Sequence, residues 1–168
     1  MSKVVKIDLQ IRGPEVFIRA LRDIFGQEAV EVLQAETIRE AIQAASQGKG
    51  LARRAYGGAA FRDAVAVVRT GTPYAVSLRK EGGVEKIQGQ VPYSDLALVA
   101  REDGSVELVA DHFTDQRLLT ALRAAYIRGL MEKAAQKAAS RRTRGGRMYR
   151  VLDHAIEGKE IVVRVEVW

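Results

Sequence analysis

The chain has two histidines, His112 and His154, and each follows an aspartate, Asp111 and Asp153. Histidine is the commonest general base and a common nitrogen ligand. Both pairs fall at the ends or in the body of segments that read as strands. If those strands lay side by side, two Asp-His pairs could hold a divalent metal through nitrogen and oxygen. The plainer reading is two histidines bonded locally or solvated, with no metal and no cofactor. Nucleophilic catalysis has less to work with: Ser2, Ser46, Ser77, Ser94, Ser105 and Ser140 form no G-x-S-x-G elbow, and no cysteine exists to supply a thiolate or a disulfide. The adjacent acids Glu102 and Asp103 fall in a turn, where they shape the loop. Gly57-Gly58, Gly82-Gly83 and Gly145-Gly146 fit neither the P-loop nor the dinucleotide pattern. The residue types therefore point away from an enzyme.

Cationic side chains carry the strongest signal. Lys133, Lys137, Arg141, Arg142, Arg144, Arg147 and Arg150 occupy one stretch without an acid, and Lys49, Arg53, Arg54 and Arg62 occupy another. The whole chain carries 27 basic against 21 acidic residues, a net charge of +6, so the excess is local. Such a field selects an anionic partner but specifies no reaction. The leading expectation is docking on an acidic protein, or self-association as a homo-oligomer. The residues expected to do it are Arg53, Arg54, Tyr56, Lys137, Arg141, Arg142, Arg144, Arg147, Tyr149 and Arg150. The alternative is RNA or DNA: those arginines, if they converge, could neutralise about six phosphates. Against it, the aromatics interleaved with the basic runs are few, such as Tyr56 beside one and Tyr149 beside the other, short of the aromatic-rich strand that stacks unpaired bases.

These residues need elements to hold them. Val5, Ile7, Leu9 and Ile11 alternate with polar residues, the period of a half-buried strand. Pro14 then opens a helix with Val16, Phe17, Ala20, Leu21 and Ile24 on one side, and Gly26 ends it. A short strand is expected near Val30 and Val32. Thr37 and Glu40, at capping-box spacing, open a second helix that stops before Gly48. Ala64–Arg69, Tyr74–Lys80, Asp95–Arg101 and Val106–Asp111 read as an antiparallel meander. Thr70 to Pro73 is expected to close its first hairpin, and Asp103-Gly104 forms a two-residue loop that sets Val99 opposite Leu108. Val84 to Val91 reads as a loop or an edge strand. From Asp115 the period becomes 3.6, with Leu119, Leu122, Tyr126 and Leu130 as one stripe. Two strands follow, Met148 to Ile156 and one beginning at Ile161.

The fold class expected is α+β: one domain over residues 1–168, mainly antiparallel sheet with helices packed on one face, and the basic segment 133–150 between the long helix and the last strands. A chain of 168 residues that is 47% apolar suffices for one such core. No apolar run approaches the roughly 18 residues of a membrane span, so a soluble, cytoplasmic protein without a membrane partner is expected.

Several segments together carry a family likeness. They are Lys6-Ile7-Asp8-Leu9-Gln10-Ile11, Arg54-Ala55-Tyr56-Gly57-Gly58, the Tyr74–Lys80 strand, Gly104 to Asp111 running into a helix with Leu122 and Ala125-Tyr126, and Ile161-Val162-Val163-Arg164 with the final Trp168. In these the chain resembles the hypothetical chloroplast open-reading-frame thirty-five family of cyanobacteria, algal plastids and other bacteria. The helix over Thr37 to Leu51 and the basic stretch Ser140 to Arg147 look like additions to that pattern. The resemblance implies a small soluble protein without a catalytic motif, acting as an accessory to an ATPase assembly.

Overall fold

The computed structural model describes residues 4–7, 13–140, 149–157 and 160–167. The fold is α+β, with three α-helices and mainly antiparallel strands, as expected. By the density of its contacts the chain forms two compact units, Met1–Arg123 and Ala124–Trp168.

In the first unit, β1 (Val4–Ile7), β2 (Val30–Val32), β3 (Leu51–Arg54), β4 (Ala60–Val68), β7 (Leu96–Ala100) and β8 (Val106–Asp111) form a six-stranded sheet in the order β1-β8-β7-β4-β2, with β3 also on β4. Strand β4 is long enough to hold two partners end to end: β3 pairs along Ala60 to Ala64, and β2 along Ala66 to Val68. Every residue of β7 is buried, because both of its faces are covered and both of its edges are paired. The alternation of the ladder sets Ala64, Val67, Ala97, Val99 and Val109 into one apolar cluster, which Leu51 joins.

Helix α1 (Pro14–Phe25) has Pro14 at its first position and buries Phe17, Ala20 and Leu21, the stripe expected. Helix α2 (Ile38–Ser46) is capped as its sequence implies, the Glu40 N–H donating to the Thr37 hydroxyl at 3.1 Å. It lies against β4 and β7. Helix α3 (Gln116–Ser140) starts in the first unit, where Leu118 and Leu122 are fully buried, and runs into the second. The second unit also contains the hairpin β9 (Tyr149–Glu157) and β10 (Glu160–Val167).

The meander differs from expectation in two respects. Thr70 to Pro73 does not close a hairpin on β4. The chain instead leaves the sheet, and β5 (Pro73–Lys80) pairs with β6 (Gly83–Gln90) as a separate two-stranded ribbon. The polar, glycine-containing β6 can form there because most of its residues face solvent, with Ile87 alone fully buried. The β7–β8 loop has three residues, not two. Arg101 N–H donates to the Ser105 carbonyl and Gly104 sits at φ 82°, so Val99 faces Glu107 and Leu98 faces Leu108. A glycine at positive φ in the third loop position closes a three-residue hairpin and moves the register by one.

Candidate functional site

A cleft of about 770 Å³ opens where β3 passes into the single turn Tyr56–Gly58, and the end of β4 and the segment before β7 form its other walls. Asp95 is its organising residue. Its side chain is only 3% exposed, and each of its oxygens accepts two hydrogen bonds. Oδ1 takes the Thr70 N–H at 2.9 Å and the Thr70 hydroxyl at 3.1 Å. Oδ2 takes the Arg54 N–H at 2.8 Å and the Arg69 Nη1 at 3.0 Å. Burial pushes the Asp95 carboxyl upward, but the bonds from Arg54, Thr70 and Arg69 outweigh it and leave the group below the ordinary carboxylate range. It therefore stays ionised, with its acceptor sites occupied.

Arg69 completes the network. Its Nη1 also donates to the Ala52 carbonyl at 2.8 Å, and its Nη2 to Glu31 at 2.7 Å, so it ties β2, β3 and the segment before β7 to the end of β4. Hydrogen bonding to Glu31 is the largest influence on this guanidinium and holds its pKa above the usual value.

The expected site residues divide by placement. Arg53 is not available to a partner: it is 7% exposed, gives Asp63 two bonds at 2.7 and 3.0 Å, and lies 4.7 Å over the Phe61 ring. The bulge between Leu51 and Arg53 in the β3–β4 ladder, where Arg53 comes opposite Phe61, places these three side chains together. Strand alternation turns the neighbouring Arg54 the other way. Its backbone is bonded to Asp95, while its side chain is exposed on the cleft and without an ion-pair partner among the described residues. Tyr56 begins the turn in which Gly57 and Gly58 both take positive φ. Lys137 lies in the last turn of α3. Tyr149, Arg150 and His154 are on β9, and Arg141, Arg142, Arg144 and Arg147 lie outside the described residues, as does Trp168.

His112 follows β8, whose edges are taken by β1 and β7, whereas His154 on β9 faces Val163 on β10. Among the described residues no group of three His, Cys, Asp or Glu could hold a metal ion. No helix among them is long and apolar enough to cross a membrane.

Tyr93 is a site residue that the sequence reading missed. It lines the cleft at φ 54°, the one non-glycine residue at positive φ among those described, and is 62% exposed. Its ring lies 5.2 Å from that of Phe113, itself 59% exposed. Asp111, fully buried, serves both sides of this pair by accepting the Phe113 N–H at 2.8 Å and the Ser94 hydroxyl at 3.4 Å. The available signal was an aromatic inside the turn-forming run Pro92-Tyr93-Ser94-Asp95.

No family model, no curated protein and no solved structure matches this chain.

Proposed function

We propose that this chain is a non-catalytic accessory or assembly protein that docks on an acidic protein partner. One observation carries the reading: among the described residues, the carboxylate and guanidinium groups lining the cleft are bonded within the chain, except for the Arg54 guanidinium. General acid–base work needs a group with a proton to exchange and a free side turned to substrate. Asp95 has no such free side, because four donors occupy its oxygens. Arg54 can do what an unpaired guanidinium does, which is to fork a carboxylate or a phosphate. The cytoplasmic location, the accessory role beside an ATPase and the family likeness belong to the same proposal, with the basic run 133–150 as a further contact.

Nucleic acid is the second reading, favoured by the exposed Tyr93 and Phe113 rings. Mobility of the purified chain with a mixed RNA pool at rising salt, read beside its mass by light scattering, decides between the two. Docking predicts no shift at about 0.15 M salt. A tight shift that weakens steeply as salt rises overturns it.

A further inference from the structure

Tyr93 pays a conformational penalty to stand where it does. A bulky residue at φ 54° is about 1–2 kcal/mol less favourable than in the ordinary regions, and it persists only where its surroundings dictate it. Here the next two residues supply that constraint: Ser94 is held on the buried Asp111, and Asp95 on Arg54, Thr70 and Arg69. The product of this arrangement is a ring left mostly in water, paired with a second ring left mostly in water, at the rim of a polar cleft whose unpaired charge is Arg54. Tyrosine and arginine, which line this one cleft as Tyr93 and Arg54, are among the types that dominate binding energy at protein interfaces.

The charge count selects the class of partner. A nucleic acid needs several phosphates neutralised together, and among the described residues this cleft offers one unpaired guanidinium, the others being held by Asp63, Glu31 and Asp95. One carboxylate and one apolar side chain match one arginine and one ring pair.

We infer that the partner inserts a short acidic segment bearing an aromatic residue, its carboxylate on Arg54 and its ring against Tyr93 and Phe113. This rests on the docking reading and assigns it a place in the first unit. The cleft has room for such side chains, since pockets of about 300–1,000 Å³ accept a ligand of that size.

The test uses the full chain and a fluorescent hexapeptide, Glu-Asp-Glu-Phe-Asp-Glu, followed by anisotropy at about 0.15 M salt. Two controls replace the phenylalanine by serine or all the acids by glutamine. The acidic aromatic peptide is expected to bind and both controls to bind about tenfold more weakly; Tyr93→Ala and Arg54→Ala should each weaken binding about tenfold. Tyr93→Gly, which suits the positive φ, should remain folded and still lose binding. Binding that survives Arg54→Ala and Tyr93→Gly, but is lost when Arg141, Arg142, Arg144 and Arg147 are replaced by alanine, overturns this site and leaves docking standing. Failure of the acidic aromatic peptide to bind the native chain overturns the inference. If a ten-residue oligouridylate binds instead, the docking reading falls with it.

Discussion

Arg54 and Asp95 bond to each other through the backbone as well as the side chain: the Arg54 N–H donates to the Asp95 carboxylate at 2.8 Å, and the Asp95 N–H donates to the Arg54 carbonyl at 2.9 Å. The pair closes a ring between the end of β3 and the residue before β7, which no ladder of the sheet joins. With its backbone fixed in this way, Arg54 has only its side-chain rotamers left to order when a carboxylate arrives, and that lowers the entropy lost on binding.

Replacing Asp95 by asparagine tests the network directly. The amide presents hydrogens where the native oxygens accept, so at least one of the Thr70, Arg54 and Arg69 donors loses its acceptor, and Arg69 loses one of its counter-charges. Leaving a buried donor without its acceptor costs about 1–3 kcal/mol, so the thermal midpoint of Asp95→Asn should fall by roughly 2–12 °C. Differential scanning calorimetry on both chains measures it.

The same pair of proteins gives a pH dependence of defined sign. The Asp95 carboxyl titrates below the ordinary value of 3.8 in the folded chain, so the folded state binds its proton less readily than the unfolded state. Its stabilisation is therefore complete above the unfolded value and is lost as pH falls through that value toward the lower folded one. The stability gap between the native chain and Asp95→Asn should be flat above about pH 5 and narrow below about pH 4. Urea titrations across that range would refute it by showing a constant gap.

Gly50 predicts a steric failure. A Cβ placed there would lie 2.7 Å from the Ala64 carbonyl oxygen and 2.9 Å from the Ala45 Cβ, so α2 and β4 leave no space for a side chain. Both neighbours are held, Ala45 in a helix and Ala64 in the sheet, and neither can yield as a long side chain would. Gly50→Ala should destabilise the chain by about 1–3 kcal/mol, read as a lower urea midpoint at an unchanged slope.

How much of this was legible in the residues depends on how local the cause is. Helix α1 follows from Pro14 and a 3.6 period, and α2 from the Thr37 cap, because each signal sits within a few positions of its effect. Strand partners are not local. Tyr74–Lys80 has the composition of a strand whether it pairs with β4 or β6, and nothing in the run itself distinguishes the two. Charge legibility fails in the same way: Arg53 and Arg54 are identical letters, and only the β3–β4 register, with Asp63 and Phe61 across the ladder, gives one to the interior and the other to solvent. Tyr93 was hidden because its significance lies in a backbone angle fixed by Asp111, 18 positions away along the chain.

That division between adjacent arginines yields the sharpest prediction. Arg53 serves stability: two bonds to Asp63 and a ring contact with Phe61 use the planar guanidinium, which lysine cannot reproduce. Arg53→Lys should therefore lose about 1–2 kcal/mol of unfolding free energy while leaving acidic-peptide binding within about twofold. Arg54→Lys keeps the charge and the backbone bonds to Asp95, so its stability should lie within about 0.5 kcal/mol of the native chain, but it loses the fork that grips a carboxylate. Its peptide affinity should drop roughly fivefold or more. Chemical denaturation and anisotropy on the two variants give a crossed pattern if the two side chains have separate tasks. Two variants with matching losses in both measurements would mean that the β3 arginines act as one structural unit and that the cleft has no recognition residue in Arg54.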